Sequence, residues 1–290
     1  MANAGKNGRR IAYILILPQI QQFMTIYGSD NSDDNESRNQ ERQIMKKSIF
    51  EKQVKALIFD MDGVIMDSMG MWKTLAEDYL RTLGIEPGPI FDSNLQTMNL
   101  AQGARFMKEK FGIDKTEEQI IEEITAKIKD FYINEGRPKE GAAAMLSALK
   151  EAGMRICMAT ATERPLARAA LKRNGLLEYF EFIITNTDVG KGKDDPAIFE
   201  AALNIINGEH AAPGTDDGPD KIYRPENTNK IEKNETMIVE DSLIAIRTAT
   251  GAGFKACGVY DEHESILFPE IKAVADVTVM LLSELPDIIC

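Results

Sequence analysis

The apolar run Val54-Lys55-Ala56-Leu57-Ile58-Phe59 ends abruptly in Asp60-Met61-Asp62-Gly63, and no other stretch narrows the fold of this chain so far. A short run rich in Val, Leu, Ile and Phe reads as a buried strand. Two carboxylates one residue apart, followed by glycine, do nothing for a strand. Asp is depleted in strands, and burying an unpaired charge is costly. In open α/β sheets, ligands bind outside the carboxyl ends of the strands. Two close acids at such an end offer oxygen ligands to a hard cation such as Mg²⁺. Taken alone, Asp-x-Asp-Gly is also compatible with a plain polar turn.

Three later runs end in complementary chemistry. Met154-Arg155-Ile156-Cys157-Met158-Ala159-Thr160 closes on the hydroxyls of Thr160 and Thr162. Phe182-Ile183-Ile184 leads through Thr185-Asn186-Thr187-Asp188 to Lys193-Asp194-Asp195-Pro196. Thr236-Met237-Ile238-Val239 ends in Glu240-Asp241-Ser242. Acid, hydroxyl, lysine and acid, in that order, suit one phosphate and one metal. Together the runs resemble the four ordered motifs of the haloacid dehalogenase superfamily. The opening Asp60-Met61-Asp62-Gly63-Val64-Ile65-Met66-Asp67-Ser68 resembles the branch that contains β-phosphoglucomutase and its phosphatase relatives. The resemblance runs from Val54 to Val279 with one insertion, and it implies an α/β fold: a Rossmann-like parallel sheet core with an inserted helical cap.

The rest of the chain sets bounds. A length of 290 residues allows one large domain or a core plus a small one. The net charge of −12 excludes a general nucleic-acid binder, which shows a basic footprint. An acidic protein that handles phosphate must supply positive charge locally, from a metal, a lysine or helix N-termini. Cys157, Cys257 and Cys290 have neither paired nor metal-like spacing, and the first two fall in apolar runs, which fits a reducing cytoplasm. Neither histidine, His210 or His263, closes a strand with these motifs, so Ser-His-Asp chemistry is not expected. Lys6, Arg9 and Arg10 precede the apolar run Ile11–Leu17, but Pro18 and Gln19 stop it and no small-residue cleavage site follows. It is too short to span a bilayer. Ser29 to Gln43 is polar and reads as disorder. Residues 1–44 are expected to be a non-folded extension, with Met45 as the functional start, rather than a targeting segment.

Trp72, Leu75, Ala76, Tyr79, Leu80 and Leu83 recur at helical spacing, and Gly84 supplies a stop. Helical patterns follow over Ala101–Phe111 and Thr116–Asn134, with no strand signal. This region, 68–141, is expected to be the helical cap, inserted between core segments 45–67 and 142–290. A helix with Ala142, Met145, Leu146 and Leu149 then precedes the Met154 run. Pro165–Asn174, Pro196–Ile206 and Leu243–Thr250 are further helices, and Phe254–Val259 a further strand. Alternation of strands and helices gives a parallel sheet covered on both faces. Residues 207–235, rich in Gly, Pro, Asp, Asn and Lys, interrupt this order and read as a mobile surface insertion, with a partner-binding loop as the alternative.

Within this frame the resemblance and the chemistry assign roles. Asp60 is the nucleophile: a carboxylate is ionised at pH 7 and can attack phosphorus to form an aspartyl-phosphate. Asp62 gives a proton to the leaving alcohol and then takes one from water. Asp241 is the best distal Mg²⁺ ligand, with Glu240 direct or through water, while Asp60 and the Asp62 carbonyl complete a sparse set. Thr160, the backbone N–H groups after it, and Ser68 are phosphate-binding candidates. Lys193 is the fourth element, with Lys191 competing and Asp194 standing where the family usually has proline. Gly251-Ala252-Gly253 precedes a strand, so it is a helix stop. Gly190-Lys191-Gly192-Lys193 lacks P-loop spacing.

Asp62 argues against a dehalogenase, since that branch lacks the second acid. A phosphomutase needs a second phosphate site, and Thr97-Met98-Asn99-Leu100-Ala101 carries no basic residue where the mutase has an arginine. Arg105 reads as a surface charge. A phosphatase of a small phosphorylated metabolite is therefore preferred to the mutase, and both to a non-catalytic regulatory module. Trp72, Met98, Asn99 and Glu163 are candidates to face the substrate. The protein is expected to be a cytoplasmic monomer that binds neither nucleic acid nor membrane.

Overall fold

The computed structural model describes residues 54–88, 98, 100–213 and 230–290. The expected N-terminal extension, Thr97 and Asn99, and residues 214–229 of the insertion lie outside the described residues.

Strand β1 (Ala56–Phe59) opens the core and is fully buried. A tight turn follows, in which the N–H groups of Ile65 and Met66 both donate to Met61 O, at 2.9 and 2.7 Å. It leads into β2 (Met66–Asp67), which pairs antiparallel with β3 (Arg137–Pro138). This two-residue ribbon gathers the two chain crossings of the helical insert. The insert comprises α1 (Met69–Thr82), α2 (Leu100–Phe111) and α3 (Glu117–Asp130). Tyr79 and Leu80 pack with Ala104, Met107, Ile120 and Ile124 in a cluster of their own. At the start of α3, Thr116 and Gln119 exchange side-chain-to-backbone bonds at 3.2 and 2.9 Å, which satisfies two N–H groups left over at the helix start. The pattern read over Thr116–Asn134 does not run on as α-helix. It passes into a π-helical turn, Phe131–Glu135, closed by Gly136 N–H donating to Phe131 O at 2.7 Å.

Past β3 the chain alternates. Helix α4 (Ala142–Glu151), β4 (Arg155–Thr160), α5 (Arg164–Arg173) and β5 (Ile183–Thr185) come first. The short α6 (Asn186–Val189), α7 (Ala197–Ile206), β6 (Thr236–Glu240), α8 (Leu243–Gly251) and β7 (Lys255–Val259) follow. The sequence pattern runs no further than β7. The chain adds α9 (Phe268–Val274), β8 (Val277–Val279) and α10 (Leu285–Ile289), each too short to show a period.

Six strands form one parallel sheet in the order β5-β4-β1-β6-β7-β8. Leu57 and Phe59 point into one apolar layer with Met145, Leu146 and Ala167, while Ala56 and Ile58 point into the other with Ile198, Phe199 and Ala249. Fully burying a side chain such as Leu57 or Phe59 contributes about 1.5–3 kcal/mol, so both faces hold the central strand in register. Cys157 and Cys257 are buried free thiols in these layers, pushed up in pKa by burial. The chain runs outward from β1 through β4 to β5, then crosses back to β6 on the other side of β1. That reversal opens a crevice at the carboxyl ends of the central strands.

The base of the 207–235 insertion is stitched shut. Asn207 donates from its side-chain amide to Ile231 O, and accepts from Ile231 N–H, both at 2.9 Å. Lys230 pairs with Glu209 at 2.7 Å beside them.

Candidate active site

Because all six strands are parallel, their polar ends meet at one edge of the sheet. Asp60 follows β1 directly, and its N–H donates to Val239 O at 2.9 Å, which seats it beside Glu240 at the end of β6. Lys193 reaches in from the loop after α6 and bridges the two acids. Its ammonium donates to Asp60 Oδ1 and to Glu240 Oε1, the latter at 2.6 Å. Burial works against the Lys193 charge, but Asp60 and Glu240 outweigh it and hold the ammonium above its usual pKa. Lys191, two residues earlier, pairs instead with Asp195 on the surface at 2.6 Å.

Asp241 begins the turn into α8 and is 5% exposed. Its carboxylate lies against the backbone of Gly63, where a Cβ atom would stand 2.0 Å from Oδ2. Gly63 has φ +75°, a left-handed conformation that also favours glycine. So the glycine of Asp-x-Asp-Gly serves two purposes: it makes the turn and leaves room for a carboxylate that arrives 178 residues later in the chain. Oxygen atoms of Asp60, Glu240 and Asp241 all lie within 4.8 Å of one another. Burial pushes Asp60 up to about 7, with Lys193 opposing and Glu240 and Asp62 adding to the rise. Burial, then Glu240 and Asp60, push Asp241 well above the usual carboxylate range. Three carboxylates face one ammonium. That local excess of negative charge, buried and crowded, is what a divalent cation would relieve.

Asp62 stands apart from this cluster. Its carboxylate accepts from three hydroxyls, each at 2.6 Å: Ser68 and Tyr132 on Oδ1, and Thr162 on Oδ2. Its side chain is not among the clustered oxygens, so only its backbone carbonyl is left to face a cation there. Ser68, expected on phosphate, is fully buried with its hydroxyl on Asp62. Thr160 is also fully buried. Its Oγ1 accepts from Thr162 N–H at 3.0 Å, closing the turn before α5 and leaving its own hydroxyl proton to donate.

Tyr132 is a site residue that the sequence pattern does not single out, and Thr162 reads from sequence only as a strand-end hydroxyl. Tyr132 belongs to the π-helical turn of the insert, and burial raises its phenol pKa, with Asp62 adding to the rise. Trp72, on α1, donates from Nε1 to Tyr132 Oη at 3.1 Å, although its ring is 40% exposed. Of the other residues considered for the substrate side, Glu163 is exposed and accepts from Thr187 Oγ1 at 3.2 Å, and Met98 is half-buried. Arg105 pairs with Glu117 at 3.1 Å, its side chain two-thirds exposed at 66%.

Comparison with known proteins identifies the family and the fold. The family model of the haloacid dehalogenase-like hydrolases matches residues 54–253. A validoxylamine A 7'-phosphate phosphatase of Streptomyces hygroscopicus is 23% identical over 79% of this chain and 95% of its own length. CbbY of Rhodobacter sphaeroides, solved with phosphate, superposes with a TM-score of 0.57 at 20% identity, covering 80% of this chain and 96% of that one. The hydrolase YfnB of Bacillus subtilis, solved with magnesium, gives a TM-score of 0.59 at 17% identity, covering 82% and 99%. At these identities the two superpositions show a shared fold.

Proposed function

The chain belongs to the haloacid dehalogenase-like hydrolase family, and from that premise we propose that it is a magnesium-dependent phosphatase of a small phosphorylated metabolite. The observation that carries this reading is the division of labour among the acids. Asp60, Glu240 and Asp241 crowd around one lysine, while Asp62, one residue removed from Asp60, is held in a separate cradle of hydroxyls.

The clustered set fits Mg²⁺, which takes one or two carboxylates and keeps waters or substrate phosphate for the rest. Asp60, Asp241 and the Asp62 carbonyl would hold it, with Glu240 direct or through water. When bound, the ion supplies positive charge that screens an anionic nucleophile from an anionic phosphate. Asp60 attacks phosphorus in line, forming the O–P bond of an aspartyl-phosphate as the ester oxygen departs. Lys193 and the Thr160 hydroxyl hold phosphate oxygens. Asp62 delivers a proton to the departing oxygen, then takes one from the water that cleaves the aspartyl-phosphate, so the enzyme returns unchanged. A hydroxyl is donor and acceptor alike. The cradle of Ser68, Tyr132 and Thr162 therefore accommodates Asp62 with or without its proton, as this two-step cycle requires.

The relatives' names point the same way, since one is a phosphatase of a phosphorylated natural product and another was solved with phosphate. A mutase would need a second anion site on the insert, and Arg105 is committed to Glu117. No helix among the described residues is long and apolar enough to cross a membrane. We place the protein in the cytoplasm, acting as a monomer. The test is a screen of phosphorylated metabolites with Mg²⁺, run beside Asp60→Asn. Turnover lost in Asp60→Asn supports the reading, and turnover retained there refutes it.

A further inference from the structure

The cradle around Asp62 draws on both crossings of the helical insert. Ser68 lies where the chain enters it and Tyr132 just before the chain leaves it, while Thr162 comes from the loop after β4. A carboxylate offers about four lone-pair positions on its two oxygens. Two donors occupy Oδ1 and one occupies Oδ2, so the remaining position is on Oδ2. That oxygen is the one left to exchange a proton with substrate.

The phenol of Tyr132 is itself directed. Trp72 Nε1–H donates to its oxygen at 3.1 Å, which leaves the phenol proton for Asp62. The phenol is fully buried, and the turn that carries it is held on several sides. The Phe131 ring packs edge-on at 5.4 Å, and the Gly136 carbonyl that ends the turn accepts from Arg173 and from Asn174, the latter at 3.1 Å. A π-helical turn is an uncommon conformation that recurs at functional sites. Here it delivers a hydroxyl from the insert onto a residue of the core.

We propose that Tyr132 is a positioning residue carried by the insert, which with Trp72 behind it holds Asp62 so that Oδ2 faces the leaving oxygen of the substrate. The inference rests on the acid–base reading of Asp62. It places a polar hydrogen-bond chain, Trp72 to Tyr132 to Asp62, between the insert and the core chemistry.

The experiment compares phenyl phosphate, whose leaving group is a strong base, with p-nitrophenyl phosphate, whose leaving group is a weak one. Both are assayed with wild type, Tyr132→Phe, Trp72→Phe, Asp62→Asn and Tyr132→Phe/Asp62→Asn. A displaced general acid matters most where the leaving group needs its proton. Tyr132→Phe should therefore lower kcat for phenyl phosphate about tenfold more than for p-nitrophenyl phosphate, with KM for both little changed, as a fraction of the roughly 10²–10⁴-fold that acid–base help contributes. Trp72→Phe should move the ratio in the same direction by less. Its half-exposed ring keeps this variant folded even if Tyr132→Phe is not. In the Asp62→Asn background, removing the hydroxyl should change the ratio no further. An equal loss with both esters in Tyr132→Phe and Trp72→Phe, or no loss, overturns the inference. If Asp62→Asn itself shows no leaving-group dependence, the acid–base reading fails instead, and the two failures are told apart.

Discussion

A methyl group at position 63 would occupy the space that the Asp241 carboxylate fills. In Gly63→Ala the new Cβ would stand 2.0 Å from Asp241 Oδ2, 2.7 Å from its Cγ and 2.9 Å from Met69 Cγ. Real Cβ contacts stay beyond 3.0 Å, so the carboxylate must retreat by at least 1 Å. Backbone strain adds to this, because an L-residue in the left-handed region costs about 1–2 kcal/mol. At about 2–4 °C per kcal/mol for a domain of this size, strain alone lowers Tm by about 2–8 °C. Misplacing a group at the reacting centre by about 1 Å costs on the order of 10²-fold in rate. Gly153 supplies the control. It has φ +79° and nothing within 4 Å of where a Cβ would stand, so Gly153→Ala carries the strain without the collision. Thermal melts and p-nitrophenyl phosphate turnover across a Mg²⁺ titration would separate the terms. Both variants should lose Tm, Gly63→Ala the more because of the collision, but only Gly63→Ala should lose about 10²-fold in kcat/KM and require more Mg²⁺. Equal, small activity losses in the two variants would refute the carboxylate geometry described for Asp241.

Four further outcomes follow from the same charges. Chelation should abolish turnover and Mg²⁺ restore it; full activity in EDTA would remove the metal assignment. Burial raises Asp60 to about 7 and Asp241 well above its ordinary value, so the folded protein binds these protons more tightly than the unfolded chain. Metal-free protein therefore loses stability from these groups as pH rises from about 4 towards 7, and the Tm gain on adding Mg²⁺ should be larger at pH 8 than at pH 5; equal gains would contradict it. Lys193→Met leaves Asp60, Glu240 and Asp241 without their cation, and breaking a buried pair costs about 3–5 kcal/mol, so melts in chelator should show a marked loss and turnover should vanish. Asp60→Asn should keep the wild-type fold and show no phosphoryl-enzyme by intact mass after exposure to substrate.

What the sequence made legible, and what it did not, follows the physics of the two layers. Asp60, Thr160, Glu240 and Asp241 could be read because each ends an apolar run, and a parallel sheet brings every such end to the same edge. Lys193 was less legible. It sits in a loop beside Lys191, and only burial between Asp60 and Glu240 distinguishes them. Ser68 was legible as a hydroxyl near the chemistry but not in its partner, because its direction depends on the turn from Met61 to Met66. Tyr132 carried a weaker signal still. It reads as one more apolar position of a helix, yet a buried phenol needs a partner for its hydroxyl, and only the packing of the insert on the core shows that the partner is Asp62. Tyr132 continues the spacing of four set by Ile120, Ile124 and Ile128, so periodicity marks it as buried without naming what its hydroxyl meets. Strand-end chemistry is set by topology, which apolar periodicity reveals. Chemistry contributed by the insert is set by how the insert packs on the core, which periodicity within the insert does not reveal.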